Sequence, residues 1–570
     1  MCIKKSLLPT FLWLNNNTSN DNNLALSTSE NKALRSKFYR TYKKGIIDKN
    51  TKLYIIIGTN LGDRILELLE NTTQLSKIVV IEPNPQILRA CLTLNDYTKY
   101  IDIKKLFFLP PDRHLISKFF DTLTPYIRYS KIKIHVDVPS SEMDETYLKL
   151  KDLVKSIIEQ KILYINTSIN MQEIFVKNEL LNFNRVFKDR GLFPLKKDYR
   201  NLMGIIIGAG PSLNVKLPFL IDFINNGLFV TAFQTLPALF KLRFQPHIAM
   251  AIDPSKILIQ VYEKVDKNYL KSIPLFYSPM VDAEVIEKYP GSRYSIWTYG
   301  GIGTYINRNK DLIIDTKGNV SIGLIKILHE LGIKKFLLIG MDLAWHDKKT
   351  HVTGHHASNY DFFYNPDKHL KLKNMYNETI FSSPQYILAA RELEDYIKNN
   401  KLEVYNLYGG GLVLEGTINI EEKQAIEILK TFDNSELKIF LRSLNSDITK
   451  RNYVPKIQLS SQEWIISLNH FEKRIIKLYK KLKNNQMQIR KAYIELHSFL
   501  LQHPIYKMYL YNQILEIAKY IFIKDYYSLE DLANTRKIIK TIKCKLKEVD
   551  AILKNINDFK EKQKYLAKAS

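Results

Sequence analysis

Four of the chain's 12 histidines, His346, His351, His355 and His356, fall in one short segment that begins just after Asp342. An imidazole titrates near neutrality, so a histidine here can take the proton of an attacking hydroxyl. His351 and His355 are the candidate bases, with Asp342 beside them. Asp and His are also good metal ligands. However, the only i, i+4 pair, His351 and His355, spans a loop rather than an evident helix, so no metal is assigned and Mg²⁺ stays an option. A second acid, Asp253, opens Asp253-Pro254-Ser255. Each acid follows a short apolar run and therefore stands at a strand end. There it can bind sugar hydroxyls, orient a histidine, or cap the following turn.

Anion-binding chemistry is suggested elsewhere. Residues 204–213 read GIIIGAGPSL. An apolar run that stops at glycines and opens a helix is how an α/β sheet presents a phosphate-binding turn. Gly208, Gly210 and Ser212 can bring backbone N–H groups close to a phosphate, and Pro211 suits a helix entrance. The alternative is a tight strand-to-helix turn with no ligand. A second loop, Gly318-Asn319-Val320-Ser321, opens a helix over Ile322–Leu331, and Asn319 and Ser321 can donate to a leaving group that gains charge. A triple glycine, Gly409-Gly410-Gly411, follows a third apolar run.

The elements that must hold these residues alternate. Strands are expected at Gly204–Ile207, Leu228–Ala232, His247–Ile252, Pro274–Ser278, Ser295–Thr298, Lys335–Ile339 and Leu402–Leu407, with helical stretches between. That order predicts a largely parallel, doubly wound sheet whose ligands bind at the strands' carboxyl ends. Upstream, KLYIIIG (52–58), a Gly58–Gly62 turn, a helix and KIVVIE (77–82) form a second, Rossmann-like unit. Glu82 lies 20 residues after Gly62, where a ribose-binding acid belongs, although the third glycine of that fingerprint is absent. From about residue 430 apolar positions recur at helical spacing, and no glycine occurs after Gly416, which predicts an all-α bundle. The division expected is 1–165, Rossmann-like; 166–430, the central α/β domain; and 431–570, helical.

Bulk properties exclude several classes. No apolar run approaches the ~20 residues of a membrane span. The run Leu7–Leu14 contains Pro9 and lacks a small-residue cleavage site, so no secretory signal is expected. Cys2, Cys91 and Cys544 lie far apart and form no metal or disulfide spacing, which suits a reducing cytoplasm. The formal charge is +26. Its lysines are dispersed over apparent helix faces, as in a chain rich in Lys, Ile, Asn and Tyr from AT-rich coding, and no nucleic-acid-reading motif accompanies them.

Five motifs in order then resemble one family. GIIIGAGPSL (204–213), AIDPS (251–255), the Gly318–Ser321 loop, IGMDLAW (339–345) with its following His351-Val-Thr-Gly, and NLYGGGLVLEG (406–416) are similar to the central domain of the motility-associated factor (Maf) glycosyltransferases. That domain is shared with archaeal-type 6-hydroxymethylpterin pyrophosphokinases and resembles one bacterial sialyltransferase class. The resemblance implies a cytoplasmic enzyme that moves pseudaminic or legionaminic acid from a CMP-sugar to Ser or Thr of flagellin, in support of flagellar assembly. Flagellin and the nucleotide sugar are the implied partners, with no cofactor required. It implies a donor site at Gly208, Gly210, Pro211, Ser212, Asp253, Gly318, Asn319 and Ser321, with His351, His355 and Asp342 catalytic. The chain departs from the pattern at His247, where the family often has an acid. The alternatives are an Mg-dependent pterin pyrophosphokinase-like enzyme and a non-catalytic flagellin-binding factor.

Overall fold

The structure is a computed structural model and describes residues 48, 51–137, 144–195, 199–299, 301–303, 312–316, 318–345, 349–359, 362–366, 368–432, 434–451 and 461–569. The chain divides into two compact units. One takes the residues up to Gln172 together with Ser461–Leu546. The other takes Glu173–Ser460 together with Lys547–Ser570.

In the first unit, β1 (Thr51–Ile57), β2 (Lys77–Ile81), β3 (Leu106–Leu109) and β4 (Lys131–Val136) form a parallel sheet in the order β3-β2-β1-β4. The β-branched runs of β1 and β2 suit strands covered on both faces, and every residue of β1 is buried. One face packs Val79, Ile116 and Phe120 with Ile157 of the helix Thr146–Val186 and Leu515 of the helix Tyr511–Phe522. The Rossmann-like order is therefore present.

The acid after β2 is already engaged. Glu82, 1 % exposed, accepts Thr59 N–H at 2.6 Å and Thr59 Oγ1 at 3.0 Å on one oxygen. Its other oxygen accepts Asn84 N–H at 2.9 Å and the Tyr147 hydroxyl at 2.6 Å. The Gly58–Gly62 turn is thus stapled to the neighbouring strand by a protein carboxylate.

The second unit holds β5 (Tyr199–Ile207), β6 (Leu228–Ala232), β7 (Ile248–Ala251), β8 (Leu275–Tyr277), β9 (Arg293–Ser295), β10 (Trp297–Thr298), β11 (Ile313–Ile314), β12 (Ile333–Ile339), β13 (Leu370–Lys373), β14 (Thr379–Ser382), β15 (Glu403–Leu407) and β16 (Ile418–Ile420). Eight of them form one parallel sheet, β16-β15-β12-β5-β6-β7-β8-β9. The expected strand Ser295–Thr298 is divided: Ile296 N–H still bonds Tyr277 O of β8, but Trp297 N–H turns to Leu312 O, so β10 pairs with β11 instead. The core joins Ile206, Val230, Met250, Phe276 and Leu338 to Leu324 and Leu328 of the helix Val320–Glu330.

This order reverses at one place. The chain starts in the middle at β5, runs outward through β6 to β9, and then returns to the other side of β5 with β12. Neighbouring connections leave the sheet in opposite directions there, which opens a crevice at the strands' carboxyl ends. The basic C-terminal segment is helical as expected, with helices at Ser461–Tyr479, Gln486–Leu500, Pro504–Tyr509, Tyr511–Phe522 and Leu529–Ala569. Among the described residues no helix is long and apolar enough to cross a membrane.

Candidate functional site

The switch point between β5 and β12 brings the Gly208–Ser212 turn against Gly340–Asp342. The amides expected to hold a phosphate are used within the protein. Gly208 N–H donates to Ile339 O and Gly210 N–H to Gly340 O, each at 2.8 Å. Ser212 N–H donates to Asp342 Oδ2 at 2.9 Å, and its Oγ donates to Oδ1 at 2.6 Å. Close approach is what the glycines provide, but toward this carboxylate. A Cβ on Gly210 would fall 2.3 Å from Asp342 Oδ2, and one on Gly409 would fall 2.2 Å from Ser212 Oγ. Ser212 does not cap the following helix through its side chain, because its hydroxyl is committed to Asp342. That helix is one α-turn, Leu213–Lys216, continued as 3₁₀ to Asn226. In place of the expected amide cradle, Ala209 is the turn residue whose N–H donates to nothing among the described residues.

Asp342 is 7 % exposed. Burial raises its carboxyl above the usual range, against the opposite pull of the two Ser212 hydrogen bonds and the Lys216 cation. Its backbone oxygen accepts Leu412 N–H at 2.8 Å, which draws the Gly409–Gly411 run over it. Lys216 is itself paired with Glu422 at 2.6 Å.

The histidine segment returns to this edge, as the sequence leads one to expect. Val352 N–H donates to Ala209 O at 2.9 Å, and Asn214 Nδ2 lies 3.2 Å from Thr353 Oγ1. His351 places Nδ1 2.9 Å from Thr350 Oγ1 and Nε2 3.3 Å from the Tyr386 hydroxyl. Its ring stacks on His355 at 4.4 Å and 5°, and His355 meets His356 at 4.2 Å. Burial pushes His351 down to about 4, helped by His356. Burial and the charges of His351, His356 and Lys264 push His355 down to about 2. His356 is also lowered, by burial and Lys264, while Asp253 pulls it back up. All three shifts favour the uncharged rings. His355 is only 4 % exposed, with Nδ1 accepting Ala357 N–H at 3.2 Å, so His351 is the better placed of the two expected bases. His346 lies outside the described residues. Among the described residues no group of three or more His, Cys, Asp and Glu is arranged to hold a metal ion.

The remaining expected residues have local tasks. Asp253 Oδ1 accepts Ser255 N–H at 2.8 Å, closing the turn after β7. Asn319 caps the helix Val320–Glu330 by accepting Ser321 N–H at 3.0 Å and Ile322 N–H at 3.2 Å. Gly318 has φ +75° and open space at its Cβ position. Among the described residues, neither of these two loops makes a hydrogen bond or ion pair to Asp342 or His351.

Sequence reasoning passed over the end of β6. There Gln234 Oε1 and Thr235 Oγ1 are buried without a hydrogen-bond partner among the described residues, and Gln234 shares a narrow crevice with Lys264 and His356. The available signal was position alone: Phe233-Gln-Thr follows a strand of the same sheet.

Comparison with known proteins bears on this arrangement. Residues 177–348 match the family model described as 6-hydroxymethylpterin diphosphokinase MptE-like. No curated protein sequence matches the chain. The fold is similar to that of a Maf glycosyltransferase from Magnetospirillum magneticum AMB-1, with a TM-score of 0.58 at 14% identity, covering 93% of this chain and 85% of that one. The chain thus combines a Maf-like fold with an MptE-like central region.

Proposed function

We propose that this protein is a glycosyltransferase that moves a nonulosonic acid, pseudaminic or legionaminic, from its CMP-activated form to Ser or Thr hydroxyls of flagellin in the cytoplasm. The observation that carries the proposal is the switch point itself. In a fold similar to a Maf glycosyltransferase, the crevice between β5 and β12 gathers the Gly208–Ser212 turn, the buried Asp342 and the returning His351 loop. The CMP-sugar's phosphate lies along the turn, at Ala209 rather than at Gly208 and Gly210, whose amides are spent. The neutral His351 accepts the acceptor hydroxyl's proton as the hydroxyl attacks the anomeric carbon, and CMP leaves with the bonding pair. Ser212 and Asp342 set the shape of the turn. Gly318, Asn319 and Ser321 line the far side of the donor site.

A second reading, pterin diphosphokinase activity, is favoured by the family-model match over residues 177–348. Phosphoryl chemistry of that kind requires ATP with Mg²⁺. The two separate in one assay of the purified protein with flagellin plus CMP-nonulosonic acid, or with 6-hydroxymethylpterin plus ATP and Mg²⁺. Acceptor-dependent CMP release supports the transferase. AMP release without it supports the diphosphokinase.

A further inference from the structure

The hydrogen bonds around His351 fix which of its nitrogens can act as a base. Thr350 Oγ1 donates to Ala357 O at 3.5 Å. A hydroxyl has one hydrogen to give, so toward His351 the same oxygen accepts, and Nδ1, 2.9 Å away, carries the ring's proton. Burial pushes His351 down to about 4, which keeps the ring neutral at pH 7 and leaves its lone pair on Nε2. That lone pair faces Tyr386, whose hydroxyl lies 3.3 Å from Nε2 and has no other hydrogen-bond partner among the described residues. The contact is long for a hydrogen bond, of the kind that tightens once substrate is bound. Burial raises the Tyr386 hydroxyl above its usual range, so it keeps its proton and donates it to Nε2. Both side chains are held in this arrangement. The His351 ring stacks on His355 at 4.4 Å and 5°, and the next residue, Val352, is tied to Ala209 O. Tyr386 is the third residue of the helix Pro384–Asn400, with its N–H capped by Ser383 Oγ at 3.3 Å and its ring 5.5 Å from that of Trp345. Both residues are only half-buried. A hydroxyl that approaches His351 along its lone pair therefore meets Tyr386 Oη first.

We propose that Tyr386 is a catalytic residue that touches the acceptor hydroxyl and relays its proton to His351. The acceptor oxygen forms its bond to the anomeric carbon while its proton passes to Tyr386 Oη, and the proton that Tyr386 held passes to His351 Nε2. The bond from the anomeric carbon to the CMP phosphate oxygen breaks, and its electron pair leaves with CMP. Tyr386 ends as it began, with one proton gained and one given. His351 ends as an imidazolium, which returns its proton to solvent. The inference rests on the proposed transferase reading, with His351 as base, and deepens it by naming the group that meets the acceptor.

Single-turnover transfer from CMP-pseudaminic or CMP-legionaminic acid to flagellin by the full-length protein tests it. Tyr386→Phe keeps the ring beside Trp345 and removes only the hydroxyl. Its transfer rate should fall roughly 10²–10⁴-fold, the range of a proton-transfer group, with CMP-sugar affinity by calorimetry unchanged. The double variant with His351→Ala should be no slower than the slower single variant, because the two groups act as a unit. Wild-type rates in mixtures of H₂O and D₂O should bow below a straight line, since two protons move together, and those of Tyr386→Phe should not. A wild-type rate in Tyr386→Phe, with His351→Ala slow, would overturn the relay and leave the base and the transferase proposal standing. A straight wild-type plot would overturn it without any variant. A loss of CMP-sugar affinity that matches the loss of rate would also overturn it, since Tyr386 would then serve donor binding. A near-normal rate in His351→Ala would remove base and relay together, and absence of transfer by wild type would sink the transferase reading with them.

Discussion

Each unit carries a glycine turn after its first strand, and each turn closes on an acid from the neighbouring strand. In the first unit Glu82 takes the N–H and hydroxyl of Thr59. In the second, Asp342 takes the N–H and hydroxyl of Ser212. The difference is in what remains. Glu82 accepts four hydrogen bonds, two on each oxygen, and its site is saturated. Asp342 accepts one on each oxygen, is kept above the normal carboxylate range by burial, and lies under the Gly409–Gly411 run, while the histidine loop docks on the same turn through Val352 N–H to Ala209 O. A Rossmann-like turn therefore serves as a staple where every lone pair is spent, and as the floor of a site where acceptors are left over and a second loop returns. The glycine spacing is the same kind of signal in both.

The comparison breaks first at His351. Its replacement in His351→Ala should cost roughly 10²–10⁴-fold in transfer, the range of a general base, with CMP-sugar affinity nearly unchanged. A near-normal turnover number would remove the base assignment. Because burial holds His351 at about 4, wild-type activity should show no inflection near pH 6.5 from this group. Its decline should come only as pH approaches about 4.

Next in size is the contrast between the two acids. Glu82→Ala leaves buried donors from Thr59, Asn84 and Tyr147 unpaired, which at about 1–3 kcal/mol each should lower the first unit's stability by about 3 kcal/mol or more. Asp342→Ala strands only Ser212 and removes a carboxylate that burial already disfavours, so the second unit should lose about 1–2 kcal/mol. Hydrogen exchange read separately in β1 and β5 measures both. Equal losses would erase the distinction between staple and site.

The smallest effect concerns acid. His351 and His355 have folded pKa values of about 4 and about 2, below the unfolded value of about 6.5. The unfolded chain then binds more protons in this window, so the stability these neutral rings contribute is complete above about pH 6.5 and is lost as pH falls toward 4. Asp342, raised when folded, acts oppositely, its unit gaining stability as pH falls through its own pKa. In His355→Asn, which keeps an acceptor near Nδ1 for Ala357 N–H, the acid loss should be shallower. Parallel melting curves for variant and wild type between pH 6.5 and 4 would contradict the burial of a neutral ring.

Much of this was legible from residue order. Runs such as GIII, LFVTA and KFLLI are apolar and β-branched over the right length, and the sheet uses them as strands. That the strand ends carry Asp253, Asp342 and the glycines followed directly. What the glycines approach was not legible. A sequence shows that a backbone can come close to something, whereas the partner of Gly210 is an acid 132 positions away, brought there by the β5–β12 pairing. The same long-range pairing consumed the amides of Gly208 and Gly210. Asn319 is a case where a local rule, an Asn ahead of an apolar helical run, would have read correctly as a cap. Gln234 had no spacing signal at all, and it stands out only because burial leaves its oxygen without a partner among the described residues.

The central claim, that the β5–β12 switch point transfers an acidic sugar to flagellin, is tested most directly by intact-mass measurement of purified flagellin after incubation with the purified protein and CMP-nonulosonic acid. The account predicts mass increments of whole nonulosonic acid residues with wild type, and their near-absence with His351→Ala at the same protein concentration. Unmodified flagellin with a folded wild-type protein that binds the CMP-sugar, or increments that are identical with His351→Ala, would contradict it.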